Sequence, residues 1–199
     1  MIAVKKILLS LLVLLCFNLF LSPAKVHAVG ASLLLSPATF SSAVGDTFAV
    51  DILIDTGGVA TANRIKAVLT YDTSMLQVID ADATTVGTQI KSGPIFSSAP
   101  NSNTVDTVSG KITYDSGVVS PAYSGHGILA TITFKGLAAG ITRPPFVFAS
   151  SSITSPDGSN ILEVVNDGTY TLTSGTAGTS TTTTSTTDMT ASLPATGAT

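Results

Sequence analysis

The sequence predicts an all-β sandwich. Three observations lead there: short runs alternate apolar and polar residues at period two, turn signals separate the runs, and no stretch carries a convincing helical period. Strands so patterned each have one face to bury, and two sheets packed face to face bury both sets. The pattern spans residues 31–174. A segment of about 145 residues buries roughly 68 to 70% of its unfolded surface, so one core suffices.

The chain has 199 residues, 44% hydrophobic and 11% charged, which bounds it to one domain plus accessory segments. Its first element is an export signal. "MIAVKK" supplies positive charge, "ILLSLLVLLCFNLFL" is an unbroken apolar run, and "VHA" offers small residues for cleavage after Ala28. The competing reading, an uncleaved membrane anchor, needs about 20 apolar residues, and Ile7 to Leu21 falls short. A lipid-modified Cys16 would want a small residue before it, where Leu14 and Leu15 stand. With residues 1–28 removed the chain keeps no cysteine, so no disulfide, thiolate nucleophile or Cys-based metal site is expected. Loss of Lys5, Lys6 and Lys25 leaves six basic residues against twelve acids. Such a balance offers no basic surface for a phosphate backbone, so nucleic acid is not an expected partner. The membrane is expected as a partner only through the signal segment.

The strands follow in order. "FAVDILID" places Phe48, Val50, Ile52 and Ile54 on one face and Ala49, Asp51 and Leu53 on the other. "RIKAVLTY" sends Ile65, Ala67, Leu69 and Tyr71 inward and Arg64, Lys66, Val68 and Thr70 outward. "GILATITFK" puts Ile128, Ala130, Ile132 and Phe134 inside. Turns are expected at Gly57-Gly58, Asn101-Ser102-Asn103, Pro144-Pro145 and Asp157-Gly158.

Four strings are more specific: "GDTFAVDILID" (45–55), "LTYDTSMLQVIDA" (69–81), "GKITYDSG" (110–117) and "HGILATITFKG" (126–136). In order and spacing they resemble a cohesin domain, whose members carry "TYDPSVLEV"-like, "GxIxF"-like and "DGVFATITFKV"-like strands. The resemblance covers residues 31–173. It implies a nine-stranded jelly-roll β-sandwich related to carbohydrate-binding modules. It also implies a non-catalytic receptor for a dockerin, the calcium-loaded module of polysaccharide-degrading enzymes. Calcium is then expected in the partner, and no cofactor in this chain.

The resemblance places the receptor face on the outward sides of Arg64 to Tyr71, Lys111 to Asp115 and Ile128 to Lys135. The expected partner-binding residues are Arg64, Lys66, Val68, Thr70, Lys111, Thr113, Asp115, Leu129 and Thr131, with Thr133 beside them. Val68 and Leu129 would be apolar groups exposed on a polar-rimmed sheet, a pattern that can mark an interface. Arg64 and Lys66 depart from the family, which places Asn and Asp nearby. Two cations there require an acidic or polar partner surface.

Other chemistries find weaker support. His126, the only histidine beyond the signal segment, would need Ser124 or Ser116 and Asp115 to converge on it, with no nucleophile-elbow pattern. Asp80 and Asp82, two apart on an expected strand edge, point the same way instead of flanking a bond. No D-x-[DN]-x-[DN]-G calcium loop is present, and Asp157 and Asn160 of "SPDGSN" offer two oxygen side chains where a calcium ion takes six to eight ligands. Polysaccharide remains a possible direct ligand, making a carbohydrate-binding module or adhesin the alternative. Against it, the chain has no Trp and 6% aromatic residues; Phe48, Tyr71, Tyr114 and Phe134 are expected in the core, leaving Tyr123 as the best exposed ring.

Residues 175–192 are nearly all Thr, Ser, Gly and Ala, a composition that cannot bury enough surface to fold and reads as a stalk. "LPATG" follows: Leu193, Pro194, Ala195, Thr196 and Gly197 fit the L-P-x-T-G pattern that sortase cuts between Thr and Gly. Four fixed residues arise by chance on the order of once in 10^4 to 10^5 positions at average usage. A working signal continues into an apolar span and basic end, so residues 193–199 are read as a truncated sorting motif. The organisation expected is export signal, sandwich, stalk and wall-linkage site, placing the protein outside the cell or on its wall.

Overall fold

A computed structural model describes residues 30–175, apart from 97, 98 and 119. The export segment with Ala28, most of the stalk and the Leu193 to Gly197 motif lie outside the described residues. Among the described residues there are thirteen strands: β1 (Ala31–Ser36), β2 (Thr39–Ala43), β3 (Thr47–Asp55), β4 (Arg64–Thr70), β5 (Leu76–Val78), β6 (Lys91–Ser92), β7 (Ser102–Asp106), β8 (Lys111–Gly117), β9 (His126–Gly136), β10 (Gly140–Thr142), β11 (Ser152–Thr154), β12 (Leu162–Asn166) and β13 (Thr169–Thr173). Several are two or three residues long. β1 and β2 are separated by only two residues and pair with different sheets.

The strands form three hydrogen-bonded sheets. The largest runs β12-β1-β3-β9-β5, with β6 also on β9; a second runs β11-β4-β8-β7; the smallest runs β10-β13-β2. The first two bury their inner faces against each other. Val50, Ile52, Ile54, Ile132 and Phe134 from one meet Ile65, Ala67, Leu69, Ile112 and Tyr114 from the other in one continuous core. Tyr71 and Phe134 cross the interface edge to face at 5.8 Å, a geometry favoured by the ring quadrupoles. Fully burying each such aliphatic side chain contributes about 1.5 to 3 kcal/mol. The smallest sheet closes the end where β3 begins: Tyr170 and Phe40 stack on Phe48 at 5.6 and 5.5 Å.

The inward residues expected on "FAVDILID" and "RIKAVLTY" are all buried. β9 departs from strict alternation. Ile52 pairs with Ala130 and Leu53 with Ile128, so β9 carries one extra residue, Leu129, at a β-bulge. Leu129 and Ala130 are both buried in consequence, while Ile128 is only half-buried. Leu53, expected on the wet side, is buried as well. Gly57-Gly58 and Asp157-Gly158 form turns as expected. Asn101-Ser102-Asn103 does not form one, because Ser102 and Asn103 open β7. The Asn103 side chain explains that: it accepts from the Ile90 N–H at 3.0 Å and donates to the Ile90 carbonyl at 2.6 Å, fixing the strand to the preceding segment. Among the described residues no helix is long and apolar enough to cross a membrane.

Candidate protein-docking face

The outer face of the β11-β4-β8-β7 sheet gathers most of the expected site. Register sets its rows. Lys66 lies between Ser152 and Asp115, with Ser102 beyond; Val68 faces Thr113, followed by Thr104; Thr70 faces Lys111, followed by Asp106. Residues opposite one another in a ladder share a face, so Arg64, Lys66, Thr70, Lys111, Thr113 and Asp115 present one surface.

Arg64 and Asp115 are its best-defined pair. Arg64 faces Gly117, which has no side chain; a Cβ there would stand 3.2 Å from the Arg64 Cβ. The guanidinium uses that space to reach one row across, its Nε 2.9 Å from Asp115 Oδ1 and its Nη2 2.7 Å from Oδ2. The Asn101 amide adds a bond to Oδ1 at 3.3 Å. Burial of Asp115 opposes its ionisation. The bonds from Arg64 and Asn101, with the charges of Arg64 and Lys66, outweigh that and hold its carboxyl below the usual carboxylate range. The hydrogen bond and charge of Asp115 raise the Arg64 guanidinium in turn.

The charge distribution is uneven. Three of the six basic side chains of the described residues, Arg64, Lys66 and Lys111, stand on this face, with only Asp115 and Asp106 of the eleven acids. The face is net positive on an acidic protein.

Four expected site residues need correction. Val68 is outward by register but only 2% exposed; the segment after β10 runs along its strand edge, where the Val147 N–H donates to the Val68 carbonyl at 2.7 Å and the Val68 N–H donates to Ser151 Oγ at 3.1 Å. Leu129 is 1% exposed, turned into the core by the bulge. Thr131 and Thr133 lie on β9, which belongs to the other sheet. Thr131 is occupied there by a 2.6 Å bond to Asp51. The three segments therefore do not form one surface; β4 and β8 do, and β9 backs them across the core.

The residues weighed for other chemistry stay apart. Asp115 is tied to Arg64, Ser116 is buried on the opposite side of β8, and His126 begins β9 in the other sheet. Asp80 and Asp82 sit in a loop instead of on a strand, accepting backbone bonds from Asp82, Gln89 and Thr84. Asp157 closes its own turn through Ser155 and Ser159, and Asn160 accepts from the Ile153 and Leu162 N–H groups, so the two do not converge. Among the described residues no three acidic or metal-ligating side chains cluster around a common point. Tyr123 is half-buried, its ring edge to face with Phe96 at 6.4 Å. Among the described residues the exposed phenylalanine rings are Phe40 and Phe148.

Sequence reasoning missed the strip from Pro145 to Thr154 that borders β4. Its signal was faint: "PFVFAS" alternates for only three residues before a 3₁₀ turn, Phe148–Ser150, interrupts it.

The class of protein the fold defines is an all-β sandwich of two face-packed sheets closed at one end by a third. The cohesin domain family model matches residues 35–172, more than half of the chain, and the chain belongs to that family. Solved structures agree on the fold. A cohesin from Clostridium acetobutylicum, solved in solution, is 22% identical with a TM-score of 0.53 over 74% of this chain and 94% of its own. The cohesin of a type I cohesin–dockerin complex from Clostridium thermocellum is 16% identical, TM-score 0.56, over 72% and 99%. A non-cellulosomal cohesin from the hyperthermophilic archaeon Archaeoglobus fulgidus is 16% identical, TM-score 0.56, over 73% and 92%. No curated protein matches.

Proposed function

We propose that this protein is a non-catalytic receptor that holds a dockerin-bearing protein on the outer face of β11-β4-β8-β7. The observation that carries the reading is the fixed Arg64–Asp115 pair set in a net-positive sheet face. A rigid, pre-oriented surface loses little freedom on docking, which favours recognition of another folded module. Membership of the cohesin family and likeness to a cohesin solved with its dockerin support the same partner. The residues assigned to contact are Arg64, Lys66, Thr70, Lys111, Thr113 and Asp115. The export segment, stalk and LPATG string extend the reading to a protein secreted and joined by sortase to the cell wall, keeping polysaccharide-degrading enzymes near the cell.

The test is retention of calcium-loaded dockerin modules on the immobilised mature chain. Capture that chelator abolishes, and that Lys66→Asp weakens, is the expected result. Retention of the chain on insoluble polysaccharide with no dockerin captured would replace the receptor by a carbohydrate-binding module. Sortase use is tested separately, by cleavage of the tail between Thr196 and Gly197 in a transpeptidation assay.

A further inference from the structure

Phe40 ends a row of packed rings at the surface of the small sheet. Phe134 packs on Phe48 at 5.9 Å, and Phe48 packs on Phe40 at 5.5 Å with their planes tilted by only 32°. Phe48 is buried, whereas Phe40 is 42% exposed: the core holds one face of its ring and leaves the opposite face outward. The ring borders an open hollow of about 570 Å³ that Ser42, Asp46, Thr47 and Thr173 also line. A second, of about 390 Å³, meets it at Phe40 and Ser41 and is completed by Thr39, Thr169 and Thr171. Both volumes fall in the range of about 300 to 1,000 Å³ that takes a small ligand. The sheet sets out the hydroxyls. β2 and β13 run parallel, with Thr39 beside Thr169, Ser41 beside Thr171 and Ala43 beside Thr173, and alternate side chains share a face. At one end Arg143 donates to Thr169 Oγ1 at 3.2 Å, which leaves that hydroxyl its proton to give. At the other, Thr173 Oγ1 donates to the Ser42 carbonyl at 3.2 Å, which leaves its lone pairs to accept. Asp46 is the only charged side chain lining either hollow.

We infer that this groove along β2 is a binding site for a neutral oligosaccharide, with one sugar ring on the open face of Phe40 and the adjoining units on the hydroxyls of β2 and β13. A pyranose has an apolar C–H face that stacks on a flat ring, and hydroxyls that each donate and accept. The groove offers the matching set: a core-pinned aromatic face, a free donor at Thr169, a free acceptor at Thr173, and the Asp46 carboxylate for a pair of sugar hydroxyls. Asp46 opposes an acidic glycan, which decides the class in favour of a neutral one. With a single ring as platform, the dissociation constant is expected on the order of 0.1 to 1 mM. The groove belongs to the β10-β13-β2 sheet and shares no residue with the face assigned to protein docking. One domain can therefore hold a protein partner and a polysaccharide chain together.

The experiment titrates the isotope-labelled mature chain with cellohexaose, xylohexaose and mannohexaose, and with hexagalacturonate as the acidic counterpart, and follows backbone amide shifts by NMR. At least one neutral saccharide should move the amides of β2 and β13, and hexagalacturonate should not. Phe40→Leu keeps apolar packing on Phe48 but removes the flat face, and should weaken binding about tenfold, in keeping with loss of a stacking platform. Phe40→Trp should bind at least as tightly as the parent. No shift with any neutral saccharide, shifts confined to other strands, equal binding of the acidic saccharide, or equal affinity of Phe40→Leu and the parent would each overturn the inference. So would an extended peptide that moves the β2 amides when no saccharide does, since β2 would then be an edge for strand addition. The Phe40→Leu chain is also presented with a dockerin. Capture kept while saccharide binding falls supports the inference and leaves the receptor reading untouched; loss of both would assign the ring to the fold and overturn the site.

Discussion

Arg64 and Asp115 meet in a two-pronged ion pair at 2.9 and 2.7 Å, joining β4 to β8 across a row emptied by Gly117. The pair is unequal: the Arg64 side chain is 56% exposed and the Asp115 side chain 7%. Exposure of the arginine screens the Coulomb term, so the pair itself is worth little. Removing the arginine, however, leaves a buried carboxylate short of two donors, which costs more than the pair contributes. Arg64→Ala should destabilise the domain by about 1 to 2 kcal/mol near neutral pH. Because the folded carboxyl of Asp115 is held low, its contribution is present above the unfolded value near 4 and fades as pH falls through the folded value. Urea titrations of parent and variant should therefore differ near pH 7 and draw together as pH falls through the folded value of Asp115. A gap that persists in acid would place the effect in lost packing.

Leu129 separates the two readings of β9. An exposed leucine on a binding surface can be truncated at little cost to stability, within about 0.5 kcal/mol. A leucine forced inward by the bulge leaves a cavity, costing about 2 to 5 kcal/mol. Leu129→Ala should fall in the second range by chemical denaturation. A loss below about 1 kcal/mol would contradict its burial.

The same residue shows what in this fold was legible from sequence. Period two identified every inward position of β4 and the first half of β3, because those strands run unbroken between turns and burial of one face is enough to impose the pattern. It failed at Leu129 because a bulge is a decision of the pairing partner: β3 supplies one residue where β9 supplies two, and nothing in "GILATITF" records it. It failed at Val68 for a different reason. That side chain is outward, as alternation requires, yet it is buried where a turn some eighty residues later in the chain bonds to its backbone. The charged part of the site, Arg64, Lys66, Lys111 and Asp115, was legible because polar residues on paired strands stay together whatever covers their neighbours. The placement of β9 on the other sheet was not, since alternation fixes a strand's faces and says nothing of its neighbours.

Tyr170 ties the small sheet to the link between β1 and β2. Its ring is fully buried against Phe48, and its hydroxyl donates to the Pro37 carbonyl at 3.1 Å. Burial pushes the hydroxyl pKa well above the ordinary value near 10. An acid whose folded value is raised stays protonated while the unfolded chain ionises, so stability falls as pH rises past the unfolded value. Tyr170→Phe should cost about 0.5 to 1.5 kcal/mol near neutral pH, the net worth of one hydrogen bond. It should also flatten the alkaline decline above about pH 10, which denaturant titration at several pH values would read. An alkaline slope equal to the parent's would show that another group governs it.

Gly110 ends the β7–β8 turn with φ of +66°, and its carbonyl accepts at 2.7 Å from the N–H of Tyr71, the residue that follows β4. A Cβ at this position would stand 2.1 Å from the Tyr71 carbonyl oxygen. Backbone, unlike a flexible side-chain tip, cannot give way without disturbing the start of β8, and with it the position of Lys111 on the docking face. Alanine therefore meets both left-handed strain and a clash, and Gly110→Ala should destabilise by more than about 2 kcal/mol. The neighbouring Ser109→Ala loses only an exposed bond to Asp106 and should cost less than about 1 kcal/mol. Thermal melts of the two variants side by side make the comparison. Equal losses would mean that the turn relaxes freely and that the close approach to Tyr71 imposes nothing on the fold.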